Sequence, residues 1–450
     1  MARPRKNAAK VQGSLLAPDE VAEIPVEEQP YPLPEGWKWV RLGDAAEIIM
    51  GQSPSGADTT DDSSYTPLIG GASDMGQLYP EATKYTKRPT KLSDKDDIIV
   101  CIRATLGRPV FSNGEYCLGR GVAAIRSNKI FNQFTRFLFI NFEQYLYDNA
   151  TGTTFAQVNS DTLNKMPIPL PPFGEQQRIV DRIESLFAKL DEAKAKAEAV
   201  LDGFEIRKAA ILHKAFTGEL TAKWRDERGV DMKSWVYVKL FTVSRLQTGI
   251  MKGKKYIKET QKMPYLRVAN VQDGYFDLNE IKEIDLPIDD MNRYLLRKGD
   301  VLFTEGGDFD KLGRGAVWNE EIFPCTHQNH IFVVRTDAKR LVPKFLSLQA
   351  RSQYGKQYFL YCSKQTTNLA SINSTQLKNF PLILPSVAEQ QELVHILDNL
   401  LAKEQQAKEA AETVLHQLKL MKKAILARAF RGELGTHGSA RDTLQNNGSM

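Results

Sequence analysis

One stretch of this chain occurs twice, and the repeat constrains everything around it. Residues 171–220 align without a gap on residues 385–434 at a constant offset of 214, with 23 of the 50 positions identical. The first copy opens Pro171-Pro172-Phe173-Gly174-Glu175-Gln176-Gln177 and closes Ala210-Ile211-Leu212-His213-Lys214-Ala215-Phe216-Thr217-Gly218-Glu219-Leu220. A repeat of this kind points to duplicated architecture. Its period is also informative. Ile179, Ile183, Leu186, Leu190, Ala193, Ala197, Val200 and Phe204 follow alternating steps of four and three, a heptad seam that a partner helix must cover. In the second copy the seam reads Leu393, Leu397, Leu400, Glu404, Ala407, Ala411, Val414 and Leu418, broken only by Glu404. Each copy offers about 38 helical residues, a rod of ~57 Å at ~1.5 Å per residue. An ordinary core-facing helix would show a similar stripe, but a matched pair in one chain predicts that the two rods pair with each other as an antiparallel coiled coil.

Between the rods the chain also starts over. Trp235-Val236-Tyr237-Val238-Lys239-Leu240 matches Trp37 to Leu42, Lys298-Gly299-Asp300 matches Lys95 to Asp97, and Leu312-Gly313-Arg314 matches Leu106-Gly107-Arg108. Offsets drift here, so insertions and deletions fall only in the globular parts. Asp97 to Ile102 and Val122 to Arg126 read as buried strands and Phe134 to Tyr147 as a helix, without a βαβ rhythm. The expected fold class is α+β, two globular domains alternating with two long helices in a pseudo-twofold repeat. The boundaries are a disordered or peripheral arm at 1–30, a first domain at 31–170, the central helical spacer at 171–220, a linker at 221–230, a second domain at 231–384, the C-terminal spacer at 385–434 and a tail at 435–450. The two domains differ in charge. Residues 31–165 hold 14 Lys/Arg against 15 Asp/Glu, whereas residues 231–379 hold 23 against 16, so most of the net charge of +5 lies in the second half. That surplus permits a nucleic-acid partner without demanding one. No run of eighteen apolar residues and no secretory signal pattern is present, which predicts a cytoplasmic protein with no membrane partner. The four cysteines contain no Cys-x-x-Cys and suggest no disulfide framework.

Motifs for catalysis fail on context. Gly119-Arg120-Gly121-Val122-Ala123-Ala124 leads into a strand rather than opening a helix, as a dinucleotide fingerprint would. Gly249-Ile250-Met251-Lys252-Gly253-Lys254-Lys255 is one residue short of a phosphate loop and lacks Ser or Thr after Lys254. Leu170-Pro171-Pro172-Phe173 has leucine where an amino-methyltransferase needs a polar acceptor for the target amine. Cys325-Thr326-His327-Gln328-Asn329-His330 groups possible metal ligands, yet on a strand His327 and His330 point to opposite faces. No catalytic residue and no metal site is therefore expected.

Two variable α+β domains, each followed by Leu-x-x-x-Pro-x-x-x-Pro, Glu-Gln-Gln, a heptad helix and Ala-Ile-Leu-x-x-Ala-Phe-x-Gly-Glu-Leu, resemble the specificity subunit of type I restriction–modification enzymes over about residues 31–434. The resemblance implies two target recognition domains, each reading half of a split double-stranded DNA target, and helices that dock two modification subunits and, through them, restriction subunits. The chain itself would bind no cofactor. S-adenosylmethionine, ATP and Mg would belong to the partner subunits. Residues 1–30 lie outside the family pattern.

Donor-rich loop positions are the candidate DNA contacts. In the first domain they are Gln52, Ser53, Arg103, Thr105, Arg108, Arg120, Thr153 and Thr154. In the second they are Lys252, Lys254, Lys255, Arg267, Asn270, Arg314, Gln328, Asn329, Lys364, Gln365 and Thr367. Arg reads guanine bidentately and Asn or Gln adenine, whereas phosphate contacts only position the protein. Any single Arg or Lys is otherwise a solvated surface residue, and the matched Arg108 and Arg314 suit a shared structural role as well as base reading. The seam residues Ile179, Ile183, Leu186, Leu190, Leu393, Leu397, Leu400 and Leu418 complete the set. A coiled-coil adaptor whose domains bind proteins is the alternative reading.

Overall fold

A computed structural model describes residues 21–152, 154–251, 258–307, 312–365 and 370–436. The chain divides into two units, residues 1–196 with 414–450, and residues 197–413. Each unit therefore contains one globular domain together with parts of both long helices.

In the first unit a four-stranded antiparallel sheet orders Glu47–Met50, Val122–Arg126, Ile98–Arg103 and Thr105–Phe111. Ile98 to Ile102 are buried without alternation, because both faces of this strand are covered. One face packs on the helix Asn132–Asn141; the other lies toward a second sheet of Thr59–Thr60, Lys84–Thr86, Thr66–Ile69 and Cys117–Leu118. The helix expected over Phe134 to Tyr147 is interrupted at Phe142, whose φ of −96° and ψ of 17° separate it from Glu143–Asp148. Lys38–Arg41 pairs antiparallel with Pro167–Leu170, leading the chain into the first long helix, Phe173–Asp202.

The second unit repeats this plan. Ser244–Thr248, Ile331–Thr336, Val301–Thr304 and Gly315–Val317 form the main sheet, and Val236–Lys239 pairs with Pro381–Leu384. Details of chemistry recur with it. Asp97 and Asp300, both almost fully buried, each receive a bidentate guanidinium, from Arg126 at 2.9 and 2.8 Å and from Arg335 at 2.8 and 3.1 Å. The preceding position takes positive φ in both, +74° at Asp96 and +88° at Gly299. The Glu-Gln-Gln entries are also matched. Gln176 accepts the Phe131 N–H and donates to the Lys129 and Pro171 carbonyls, while Gln390 accepts the Val342 N–H and donates to Arg340 and Pro385. Each amide thereby joins a helix entry to the loop before a domain helix, satisfying backbone groups that would otherwise be buried unpaired.

The rods differ from their sequence expectation. The C-terminal helix runs unbroken from Val387 to Phe430, 44 residues, and stops where Gly432 takes φ +74°. The central helix breaks at Gly203 and resumes as Phe204–Phe216 before Gly218 at +82°. A Cβ at Gly203 would collide with the Arg207 guanidinium, which folds back onto the Val200 carbonyl. Within each unit the helices run antiparallel: Lys422 bonds Asp191 in the first, and Arg207 bonds Glu404 while Lys408 covers the Phe204 ring in the second. Ile179, Ile183, Leu393 and Leu397 are fully buried, in clusters that hold both domain residues and residues of the other long helix. Leu190, Ala197, Ala411 and Leu418 are largely covered, with Leu186 and Leu400 half-buried.

The closing motifs cross over. Leu212, Ala215 and Phe216, from the first copy, join the core of the second domain; Leu426, Ala429 and Phe430, from the second copy, join the core of the first. The arm expected to be peripheral is packed from Val21 on. Val21 and Ile24 are buried, Ile24 N–H bonds the Trp39 carbonyl at 2.9 Å, and the Tyr31 hydroxyl donates to the Phe430 carbonyl at 3.1 Å.

Candidate nucleic-acid interface

Three turns meet at one end of the main sheet of the first unit. Gly51 leaves the edge strand where a Cβ would strike the Gly119 and Val122 carbonyls, so the chain can turn there only as glycine. Ser53 follows and accepts bonds from Arg120, from its backbone N–H at 3.2 Å and its Nε at 3.3 Å. The hairpin between Ile98–Arg103 and Thr105–Phe111 turns at Ala104, held at φ +64° by its N–H bond to Ala156. That bond draws in the loop 151–157, closed by reciprocal backbone bonds between Thr151 and Gln157.

These turns enclose an open recess of about 380 Å³ lined by Ser53, Gly70, Gly71, Arg103, Arg120 and Phe155, among others, with no carboxylate in the lining. Phe155 is 59% exposed. The Gly70 and Gly71 N–H groups are taken by the Asp74 carboxylate, so the recess offers two guanidinium groups and an unburied aromatic ring, which suit a duplex groove: the cations for phosphate or a guanine edge, the ring for apolar contact with a thymine methyl. Gln52, Ser53, Arg103, Thr105, Arg120 and Thr154 thus come from the segments that meet at this end of the sheet. Arg108 does not join them. At φ +47° its guanidinium donates to the Ala72 and Met75 carbonyls, binding its own strand to a loop.

The second unit places other side chains on the same frame. The Glu305 N–H bonds the His330 carbonyl as the Ile102 N–H bonds that of Gly121, and the Ile372 N–H bonds Glu305 as the Val158 N–H bonds Ile102. On this frame lie Gln328 and Asn329, with a side-chain hydrogen bond between His330 and Glu305. Lys364 and Gln365 form a short exposed strand whose partner, Ala370–Ser371, also pairs with Gly306–Gly307. Arg267 and Asn270 are committed elsewhere. Asn270 is buried, accepts the Arg267 N–H and donates to the Asp277 and Glu280 carbonyls; Arg267 pairs with Glu280. Arg314 donates to Gln272 and lines a separate cleft of about 750 Å³ beside the helices. That cleft is crossed by Asp273, where burial raises the carboxyl pKa but Arg351 and Lys208 outweigh it and hold it below the usual range. Thr153, Lys252, Lys254, Lys255 and Thr367 lie outside the described residues.

His327 occupies the slot that Leu118 fills in the first unit: each pairs in parallel with the strand before it, Leu118 with Ile69 and His327 with Leu266. It is buried with neither ring nitrogen hydrogen-bonded among the described residues, and desolvation, helped by Arg335, pushes its pKa down to about 3. His330 is exposed. Burial likewise lifts the Cys101 and Cys325 thiols to about 11 and about 12, which leaves both protonated and unreactive at neutral pH. Sequence reasoning missed Phe155, Glu305 and His330 as members of these surfaces. A lone aromatic among threonines carries no period, and only the folded loop shows it unburied.

On the long helices, Ile206 is 74% exposed and Leu420 is 52% exposed. They stand at equivalent positions of the repeat, 214 residues apart. No helix among the described residues is long and apolar enough to cross a membrane.

The family description "Type I restriction modification DNA specificity domain" matches residues 34–201 and 232–413. The chain is similar to the specificity subunit of the type I restriction enzyme EcoKI of Escherichia coli K12, 25% identical over 428 residues, 89% of this chain and 90% of that protein. It is also similar to the EcoBI specificity subunit of Escherichia coli, 28% identical over 301 residues, 64% of this chain and 62% of that protein. Its fold resembles the HsdS subunit of Thermoanaerobacter tengcongensis, with a TM-score of 0.61 and 21% identity over 90% of this chain and 99% of that one. It likewise resembles a chain from a study of complex assembly and conformational transition of the type I R-M system, with a TM-score of 0.68 and 23% identity over 90% and 100%.

Proposed function

The chain belongs to the type I restriction–modification DNA specificity family, and on that premise we infer how its two units share the work. It is a DNA-specificity subunit. Each unit reads one half of a two-part target, and the paired helices set the number of unread base pairs between the halves. The observation that carries this reading is the contrast between frame and surface. Backbone bonds, glycines and buried ion pairs recur in both units, whereas Ser53, Arg103, Arg120 and Phe155 on one frame give way to Gln328, Asn329, His330 and Glu305 on the other. Two unlike surfaces on one scaffold suit two unlike half-sites.

The helices also dock partners. Ile206 and Leu420 offer branched apolar side chains to solvent at matching points of the repeat, which suits two copies of one modification subunit. Restriction subunits would join through these. Methyl transfer from S-adenosylmethionine and ATP- and Mg-dependent cleavage would be the partners' chemistry, in the cytoplasm where the DNA lies.

The ruler is tested by inserting four helical residues into both long helices. That adds ~6 Å, nearly two base pairs at ~3.4 Å each. Methylation mapping should return the same half-sites with a spacer longer by about that amount; an unchanged spacer refutes the ruler.

A further inference from the structure

The repeat also shows where the two units are not finished alike. In the first, the strand Lys38–Arg41 is covered by the arm. Trp39 is fully buried, its ring edge-on to Tyr31 at 4.9 Å and to Phe142 at 6.4 Å, and its indole N–H bonds the Tyr31 carbonyl at 2.8 Å. Ile24 N–H bonds the Trp39 carbonyl at 2.9 Å, and Glu28 pairs with Arg41. In the second unit Tyr237 stands where Trp39 does and Lys239 where Arg41 does. Tyr237 is 75% exposed, and Met232, Val236 and Phe241 nearby are 40%, 49% and 52% exposed. Among the described residues no loop N–H repeats the Ile24 bond at Tyr237, and no carboxylate pairs with Lys239.

Beside this strand lies an open, largely apolar groove of about 720 Å³, lined by Leu212, Phe216, Trp235, Tyr237, Tyr354 and Ile383, with others. Phe216 is the repeat counterpart of Phe430, against which the ring of Phe142 packs at 6.1 Å in the first unit. The equivalent space there is thus filled, by Trp39 and the arm's Tyr31. The preceding linker does not fill it here. Arg225, from its short helix, turns instead to Glu389, with Gly218 and Thr221.

We propose that this groove is a docking site for an extended segment of the modification subunit, one that carries an aromatic side chain for the groove and a carboxylate for Lys239. The first unit supplies the pattern of the occupant: an apolar residue adding to the strand edge, then an acidic residue, then an aromatic ring, as in Ile24, Glu28 and Tyr31. Strand addition gives such a segment backbone bonds, the aromatic ring is the anchor, and the unpaired lysine selects for acidity. The identity of the partner rests on the family reading above; the receptivity of the groove does not.

A fluorescein-labelled peptide of residues 21–33 is the probe, titrated with the full-length chain and followed by anisotropy. Saturable binding is expected, weakened at least tenfold by Tyr237→Glu and by Lys239→Glu, both exposed changes whose folding is checked by circular dichroism and melting. A peptide carrying Glu28→Lys should recover affinity on Lys239→Glu. Absent binding, or binding that neither variant alters, overturns the groove. Purified modification subunit should then displace the peptide from the wild-type chain, and a peptide that stays bound in the saturated complex overturns the partner assignment. If the modification subunit binds neither wild type nor variant, the family-based partner reading falls, and the peptide titration still judges the groove.

Discussion

Replacing Arg225 by alanine tests how the second unit is held to its helix entry. Glu389 is fully buried, and its carboxylate accepts three bonds: from Arg225 at 2.6 Å, from the Thr221 hydroxyl at 2.8 Å and from the Trp235 indole at 2.9 Å. The same guanidinium donates to the Gly218 carbonyl at 2.6 Å and lies over the Trp235 ring. Arg225→Ala leaves a buried negative charge with neutral donors only, a loss of ~3–5 kcal/mol for a broken buried pair. For a unit of this size each kcal/mol moves the melting midpoint by ~2–4 °C, so the transition of the second unit should fall by ~6–20 °C. Differential scanning calorimetry of the full chain reads this directly. The pair Arg225→Met with Glu389→Gln removes both charges at similar volume and should recover more than half of the loss. If Arg225→Ala moves the midpoint by less than ~2 °C, or the double variant is as unstable as the single, the charge is not what holds the joint.

Other outcomes are as specific. Arg103→Ala and Arg120→Ala should each lower the slope of log affinity against log salt by ~1 if they neutralise phosphate, or cost ~1–3 kcal/mol at one base position if they read it; salt-resolved binding to target and scrambled DNA separates the two, and no change in either refutes the recess. His327 is neutral when folded, with its pKa near 3, but near 6.5 when unfolded, so the unfolded chain takes up the proton as pH falls below ~6.5 and stability drops by ~2 kcal/mol between pH 7 and 5. His327→Leu, the residue the first repeat uses, should remove that part of the pH dependence of the urea midpoint; equal slopes would contradict it. Ile206→Glu and Leu420→Glu should each cost one modification subunit in analytical ultracentrifugation while target binding by the free chain stays unchanged.

The helices were legible because their copies share an offset and a period. What covers each seam position was not. Ile179 and Leu393 satisfy a heptad as well as Leu190 does, yet domain residues join the other helix in covering them, because a periodic stripe specifies burial and not every neighbour that supplies it. The interrupted position in the second seam is resolved by geometry: Glu404 meets Arg207 at 2.7 Å across the helix pair, a contact within the chain rather than with a partner. Donor type misled in the same way. Asn270 and Arg108 look like readers in sequence, but their hydrogen bonds are taken by backbone carbonyls. The paired Asp97–Arg126 and Asp300–Arg335 went unread because their members lie about thirty residues apart, with no local signature.

The crossed closing motifs impose an order in time on synthesis. The second unit is one continuous stretch, 197–413, and can close as soon as it has emerged. The first needs Leu426, Ala429 and Phe430, made more than two hundred residues after its own helix at Phe173–Lys196. At ~5–20 residues per second the ribosome takes about 12–47 s to deliver them. Through that interval Phe134 and Phe142 lack the ring of Phe430 that covers them in the finished fold. The domain translated first is therefore completed last, with part of its apolar core uncovered while it waits.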